Sequence, residues 1–157
     1  MPPSLIFDIS EIDLSAVFAD QEMIRAINPQ RGDMEQLNGV VWYDSTKDRI
    51  IGFKDVRPDE FWVSGHIPGR PLLPGVLMIE AAAQLASYYV KGISKTEGFI
   101  GFGGVEDCKF RQQVPPGVRL FIIAEQEHAR HRRFKSRMQG LVNGQLVFEA
   151  TIIGAVM

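Results

Sequence analysis

Residues 61–84 read FWVSGHIPGRPLLPGVLMIEAAAQ, and the fold is decided there. Pro68, Pro71 and Pro74 each remove a backbone donor and fix φ, so the stretch before Gly75 must be extended and stiff. From Gly75 the chain enters an apolar run, Val76 to Ala86, interrupted by one acid, Glu80. Such a run predicts a helix buried on all sides. A carboxylate inside it is costly unless paired or protonated. No Lys or Arg falls between Arg70 and Lys91 to pair with it locally. His66, between Gly65 and Ile67-Pro68, is the second conspicuous residue.

Each has a bland explanation when taken alone. A buried Glu can bond backbone or water, and a His in a Pro-rich loop can be a satisfied loop residue. Together they pair a group that titrates near neutrality with an acid that burial pushes upward. That split is the usual basis for dividing base and acid roles.

The stretch GHIPGRPLLPGVLMIEAAAQ resembles the GHFPxxPxxPGVLxxEAxAQ signature of the (3R)-hydroxyacyl-acyl carrier protein dehydratases of fatty acid synthesis. His66 and Glu80 stand at the family spacing, as do Pro74-Gly75-Val76 and Gln84. Val105 to Arg111 is similar to the family's "(I/V)xxxxFxxPVxPGD" stretch, and Phe148 to Thr151 to its closing strand. The resemblance spans roughly Val40 to Ala155. It implies the hotdog fold: α+β, a curved antiparallel sheet wrapped around one long buried helix, here 75–91. It also implies a homodimer or a trimer of dimers. The related dehydratase/isomerases carry Asp where Glu80 stands, so Glu80 favours the plain dehydratase. Residues 28–38, NPQRGDMEQLN, depart from the family's PHRxPFLxxDR, with Gln30 in place of a usual His. That leaves the proposed chemistry intact and puts substrate length and rim contacts in question.

Composition sets wider bounds. A chain of 157 residues, 45% hydrophobic and 23% charged, suggests one domain over 1–157, with an N-terminal arm and short helix over about 1–39. No apolar run reaches the ~20 residues of a bilayer span, and Met1-Pro2-Pro3-Ser4 does not resemble a signal peptide. One cysteine, Cys108, excludes an intrachain disulfide and fits a cytoplasmic setting. It reads as a small buried hydrophobe rather than a reactive thiol. The net charge of −2 conceals an asymmetry: residues 1–48 hold nine acids and three bases, and residues 109–137 hold eight bases and two acids. The basic half calls for an anionic partner or an acidic neighbour.

Along the chain, Asp20 is placed to cap a short helix over 21–27, which Asn28-Pro29 ends. Val40 to Tyr43 and Arg49 to Lys54 predict a hairpin. The long helix should stop at Gly92 as its C′ residue. Strands follow over 99–110, 118–128, 132–142 and 145–154, the last two joined at Asn143-Gly144. The glycines Gly101, Gly103 and Gly104 mark close approach to a strand backbone rather than a nucleotide loop. His128 and His131 lie three apart on a strand and point to opposite faces, so no metal site is expected.

Eliminating water from a β-hydroxyacyl thioester needs a base for the α proton, an acid for the departing hydroxyl and a donor to the thioester oxygen. The resemblance assigns base to His66 and acid to Glu80, on opposite subunits. The Gly75 N–H, at the helix N-terminus, is the oxyanion candidate. Gln84 either orients the Glu80 carboxyl or makes a polar core contact. No cofactor, metal or nucleic acid is called for. The expected partner is an acidic acyl carrier protein, docking on Lys109 and Arg111, with Arg132 and Arg133 as second choice. Two alternatives stay open: a hotdog acyl thioesterase, and a non-catalytic acyl-carrier-binding or partner subunit.

Overall fold

The computed structural model describes residues 4–130 and 132–157. Its helices are α1 (Gln21–Ile27) and α2 (Gly75–Tyr88). Its strands are β1 (Gly39–Asp44), β2 (Arg49–Asp55), β3 (Ile100–Phe110), β4 (Arg119–Arg130), β5 (Arg133–Val142) and β6 (Gln145–Val156). They form one six-stranded antiparallel sheet in the order β1-β2-β4-β5-β6-β3. This is the hotdog arrangement, with α2 laid on one face of the sheet.

Side chains alternate across a strand, so adjacent apolar residues serve different faces. Val40, Ile50 and Ile122 join α2 in the main core, with Ala81, Ala82, Leu85 and Phe148. Their neighbours Val41, Ile51 and Ile123 face the other way. That outer face is covered by the N-terminal arm. Phe7 is buried there, with Ile6, Ile9, Ile12 and Leu14 packed around it. Gln139 fixes the arm: its Oε1 accepts from Ile6 N at 2.8 Å, and its Nε2 donates to Ser4 O at 3.0 Å. Sequence alone predicts an arm without a place for it.

Local signals in the sequence are realised. Asp20 Oδ1 accepts from Met23 N at 3.0 Å and caps α1. Asn143 and Gly144 both take positive φ, 50° and 78°, as a primed hairpin turn requires. Gly103 sits at a register shift in β3, where a Cβ would stand 3.3 Å from Ile153 O, so the glycine serves a bulge.

Two expectations about the long helix need correction. It does not stop at Gly92. A wider π turn, Tyr89–Ile93, continues it, and the chain leaves through Lys95 at φ 58°. Tyr89 Oη donates to Asp48 Oδ1 at 2.7 Å and ties this turn to the β1–β2 loop. Gly92 lies inside the turn because the Tyr88 ring would stand 3.3 Å from any Cβ there. Nor is the helix buried all round. Val76 is 70% exposed, and Leu77, Ile79, Glu80 and Ala83 are not fully buried. Val76, Ile79, Glu80 and Ala83 lie on one face by helical spacing. The helix therefore has an open side in a single chain.

The sheet has two edges. β1 is bridged by the arm through Ala19 and Val40. β3 is open and carries exposed Phe102, Val105 and Phe110.

Candidate active site

The prolines do what the sequence requires of them. Residues 66–74 run as loop and turn, anchored where Leu73 N donates to Val114 O at 2.8 Å. His66 is exposed, and its Nδ1 lies 2.8 Å from Leu72 O. A carbonyl can only accept, so Nδ1 carries the proton of this bond. In the neutral ring Nε2 is then left unprotonated and free to take a proton.

A buried ion pair that the sequence analysis does not anticipate precedes this loop in the chain. Lys54 Nζ lies 2.6 Å from Glu60 Oε1, with side chains only 2% and 7% exposed. Glu60 Oε2 also accepts from Arg57 N at 2.9 Å. Burial pulls the Lys54 ammonium below its ordinary pKa, and the Glu60 carboxylate opposes that. A signal is available in the sequence: a lysine inside a strand otherwise buried, with an acid six residues on.

Gly75 opens α2. Among the described residues, the Gly75 and Val76 amides meet no acceptor, as expected in a first helical turn. The Phe110 ring would stand 2.8 Å from a Cβ at Gly75, so only glycine admits this approach between the helix start and β3.

Glu80 lies on the open side of α2, in the wall of a cavity of about 650 Å³. The cavity runs between α2, the 25–31 segment, the start of β3 and the end of β6. No cation pairs with Glu80 among the described residues. Burial pushes its carboxyl above the usual range, and the Gln84 amide opposes this in part. His66 does not line this cavity. Within one chain His66 sits in the loop ahead of the helix start, bonded to Leu72 O and Trp62 O.

Gln84 holds the divergent segment in place. Its Oε1 accepts from Gln36 N and Leu37 N, both at 3.0 Å, and its Nε2 donates to Met34 O at 2.6 Å. Asn28 Nδ2 donates to the Gln84 backbone O at 2.9 Å. Residues 28–31 therefore line the cavity while residues 34–37 are pinned behind it.

The basic residues fall into two groups. Lys109 and exposed Arg111 stand at the Phe110 end of β3, and Arg111 Nε bonds Glu149 Oε2 at 2.7 Å. Arg132 and Arg133 stand at the other end, where Arg133 pairs with Ala155 and Arg132 Nε donates to Val156 O. The length of β3 separates them, roughly 30 Å at ~3.3 Å per residue. Cys108 is half-buried, and burial pushes its thiol up, which suits a packing residue. His131 and the side chain of His128 lie outside the described residues. Among the described residues no cluster of His, Cys, Asp or Glu could hold a metal, and no helix is long and apolar enough to cross a membrane.

Comparison with known proteins agrees with the motif. The FabA-like domain model matches residues 28–151. The chain belongs to the FabA-like family. It is 33% identical over 134 residues to the 3-hydroxyacyl-acyl-carrier-protein dehydratase FabZ of Bacillus pumilus, covering 85% of this chain and 92% of that one. It is 37% identical over 110 residues to the enzyme of the same name from Alkaliphilus metalliredigens, covering 69% and 75%. Among solved structures, the dehydratase heterocomplex ApeI:P of Xenorhabdus doucetiae superposes with a TM-score of 0.69 at 14% identity, covering 85% of this chain and 90% of that one. A mutant thioesterase PA1618 of Pseudomonas aeruginosa gives 0.65 at 17%, covering 89% and 95%. These two share the fold and differ in chemistry, so the fold alone does not choose between dehydration and thioester hydrolysis.

Proposed function

We propose that this chain is a 3-hydroxyacyl-acyl carrier protein dehydratase of fatty acid synthesis, working as a dimer. The observation that carries the reading is Glu80: a half-buried carboxyl in a cavity wall, held toward its protonated form by burial, with no cation beside it among the described residues. His66 Nε2 removes the α proton of the β-hydroxyacyl thioester. The electron pair moves into the Cα–Cβ bond as the hydroxyl leaves, and Glu80 gives that oxygen a proton, so water departs and a trans-2-enoyl thioester remains. The Gly75 amide, at the positive end of α2, takes the charge that grows on the thioester oxygen. The acidic carrier docks beside Lys109 and Arg111, at the His66 end of the molecule.

His66 is absent from the wall that Glu80 occupies, which supports a shared site with His66 from one subunit and Glu80 from the other. The open β3 edge and the open side of α2 are the surfaces such a pairing would cover. The test is enoyl formation from a carrier-borne 3-hydroxyacyl thioester. The separate His66→Ala and Glu80→Gln proteins should be nearly inactive, and co-refolding them should restore about a quarter to a half of the activity per site pair. Enoyl formation by neither wild type nor mixture, with rapid free-thiol release from a saturated acyl thioester, would establish a thioesterase instead. Carrier binding with neither reaction would establish a non-catalytic subunit.

A further inference from the structure

The cavity beside Glu80 is not lined as a plain hydrocarbon tunnel would be. Asn28 is 3% exposed, and its Nδ2 is committed to the Gln84 backbone O. That bond fixes the amide's orientation, since a carbonyl can only face the NH₂ group. Its Oδ1 has no hydrogen-bond partner. Gln30 Oε1, two residues on, is likewise out of solvent contact and without a partner. Both residues line the cavity. Five buried side-chain polar atoms lack a partner among the described residues, and these two are the ones whose residues line the cavity, where a donor can arrive from outside the chain.

Position on the helix says which part of a substrate could supply it. Gln84 stands one turn past Glu80, about 6 Å along the axis at 1.5 Å per residue. Asn28 reaches the Gln84 carbonyl, which points further toward the helix C-terminus. The Asn28 acceptor therefore lies beyond the group that would meet the substrate's reacting hydroxyl, with Gln30 two residues on in the same lining. Phe134 and Ile152 also line the cavity and can take the methylenes in between, alongside the cations Arg25, Arg31 and Lys91.

We infer that the acyl chain this cavity accepts carries a hydrogen-bond donor, a hydroxyl or amide N–H, on a carbon distal to the thioester, received by Asn28 and Gln30. This rests on reading the cavity as the acyl site of the proposed dehydratase. It accounts for the divergence of residues 28–38, because Asn28 and Gln30 then sort acyl chains by polarity rather than by length alone. A purely apolar pocket cannot discriminate strongly for or against an added hydroxyl, whereas a site built to bond one can.

The test measures binding, so it does not depend on turnover. Saturated acyl-pantetheine thioesters of equal length, plain or with one hydroxyl scanned along the distal carbons, are titrated against the full-length wild-type protein by calorimetry. At one hydroxyl position the wild type should bind at least about fivefold more tightly than it binds the plain thioester. Gln30→Met keeps length and half-exposed packing while removing the acceptor. It should lose at least half of that preference. Asn28→Leu should do the same, with its thermal melt as the check on folding. The inference is overturned if no hydroxylated probe outbinds the plain one, meaning that water satisfies the two acceptors. It is equally overturned if the preference survives in every variant that folds. Enoyl formation without a hydroxyl preference would remove the subsite alone. A hydroxyl preference without enoyl formation would remove the dehydratase and leave the subsite.

Discussion

Glu60 and Glu80 are glutamates twenty residues apart, one deeply buried and one half-buried, and they are treated in opposite ways. Glu60 is met by Lys54 and by the Arg57 amide, so both carboxylate oxygens are satisfied. Glu80 has no ion-pair partner among the described residues, and Gln84, one turn on, is engaged with the backbone at Met34, Gln36 and Leu37. A paired buried charge fixes a loop. An unpaired one on a cavity wall is pushed by burial toward its protonated form. The difference separates an acid committed to an ion pair from one suited to hold and give a proton.

The sharpest way to break that contrast is to remove each group and ask what fails. His66→Ala and Glu80→Gln should each lower turnover by on the order of 10²–10⁴-fold, as for other positioned acids and bases. Their melting temperatures should stay near that of the wild type. Enoyl formation by Glu80→Gln at close to the wild-type rate would take Glu80 out of the mechanism.

Glu60→Ala should do the reverse. It strands a buried ammonium, which costs about 3–5 kcal/mol when one partner of a buried pair is removed. Urea titration would show the loss. The fraction that remains folded should keep its turnover number unless the loop bearing His66 has moved. The double change Lys54→Met with Glu60→Leu should recover most of the stability, because replacing both charges leaves none unpaired. A Glu60→Ala protein as stable as the wild type would mean that the pair contributes little.

How much of this is legible in the sequence follows from the kind of signal involved. Pro68, Pro71 and Pro74 restrict their own backbone, so the extended loop and the start of α2 at Gly75 can be read directly. The same holds for Asn143-Gly144 and for the strand alternation that sorts Ile50 from Ile51. Pairings between side chains distant in sequence carry no such local mark. Gln139 gripping Ser4 and Ile6 is invisible until the sheet exists. The open side of α2 escapes sequence reasoning for a related reason. Val76, Ile79 and Ala83 look the same in sequence whether they are to be covered by their own chain or by a second copy. The Asn28–Gln84 contact is hidden by the departure of 28–38 from the family pattern.

Gln84→Leu probes the join between the two glutamates' surroundings. It leaves the amides of Gln36 and Leu37 without an acceptor, which should cost on the order of 1–3 kcal/mol. Thermal melts would detect it. A change confined to activity, with unaltered melting, would show that Gln84 serves the Glu80 carboxyl rather than the 34–37 segment.

The pH dependence of stability gives a smaller effect. The Glu80 pKa is raised in the folded chain, so the folded state binds the extra proton between its unfolded and folded values. Stability from this group is therefore greatest below its unfolded pKa of ~4.3 and falls as the pH rises through the folded one. Glu80→Gln removes that fall. The variant should gain in melting temperature relative to the wild type on going from about pH 4 to about pH 8. A constant difference across that range would mean Glu80 is not held toward its protonated form.

The smallest effect should come from the rim, where charge steers more than it binds. Lys109 is exposed, while Arg111 is partly neutralised by Glu149. Reversing both to Glu should raise the apparent KM for a carrier-borne substrate and leave a small carrier-free thioester almost unaffected. Added salt should weaken the wild type more than the double variant, because exposed charges are screened within ~10 Å at 0.1 M. The Glu149 contact predicts an unequal split: Lys109→Glu alone should account for most of the rise, and Arg111→Glu should act partly through stability by placing two acids together. Reversal of Arg132 and Arg133 is the control, since they lie at the far end of β3 from His66. A larger effect there than at Lys109 would move the docking site to the Phe99 end of the cavity. Equal losses on carrier-borne and carrier-free substrates would mean that Lys109 and Arg111 shape the site itself.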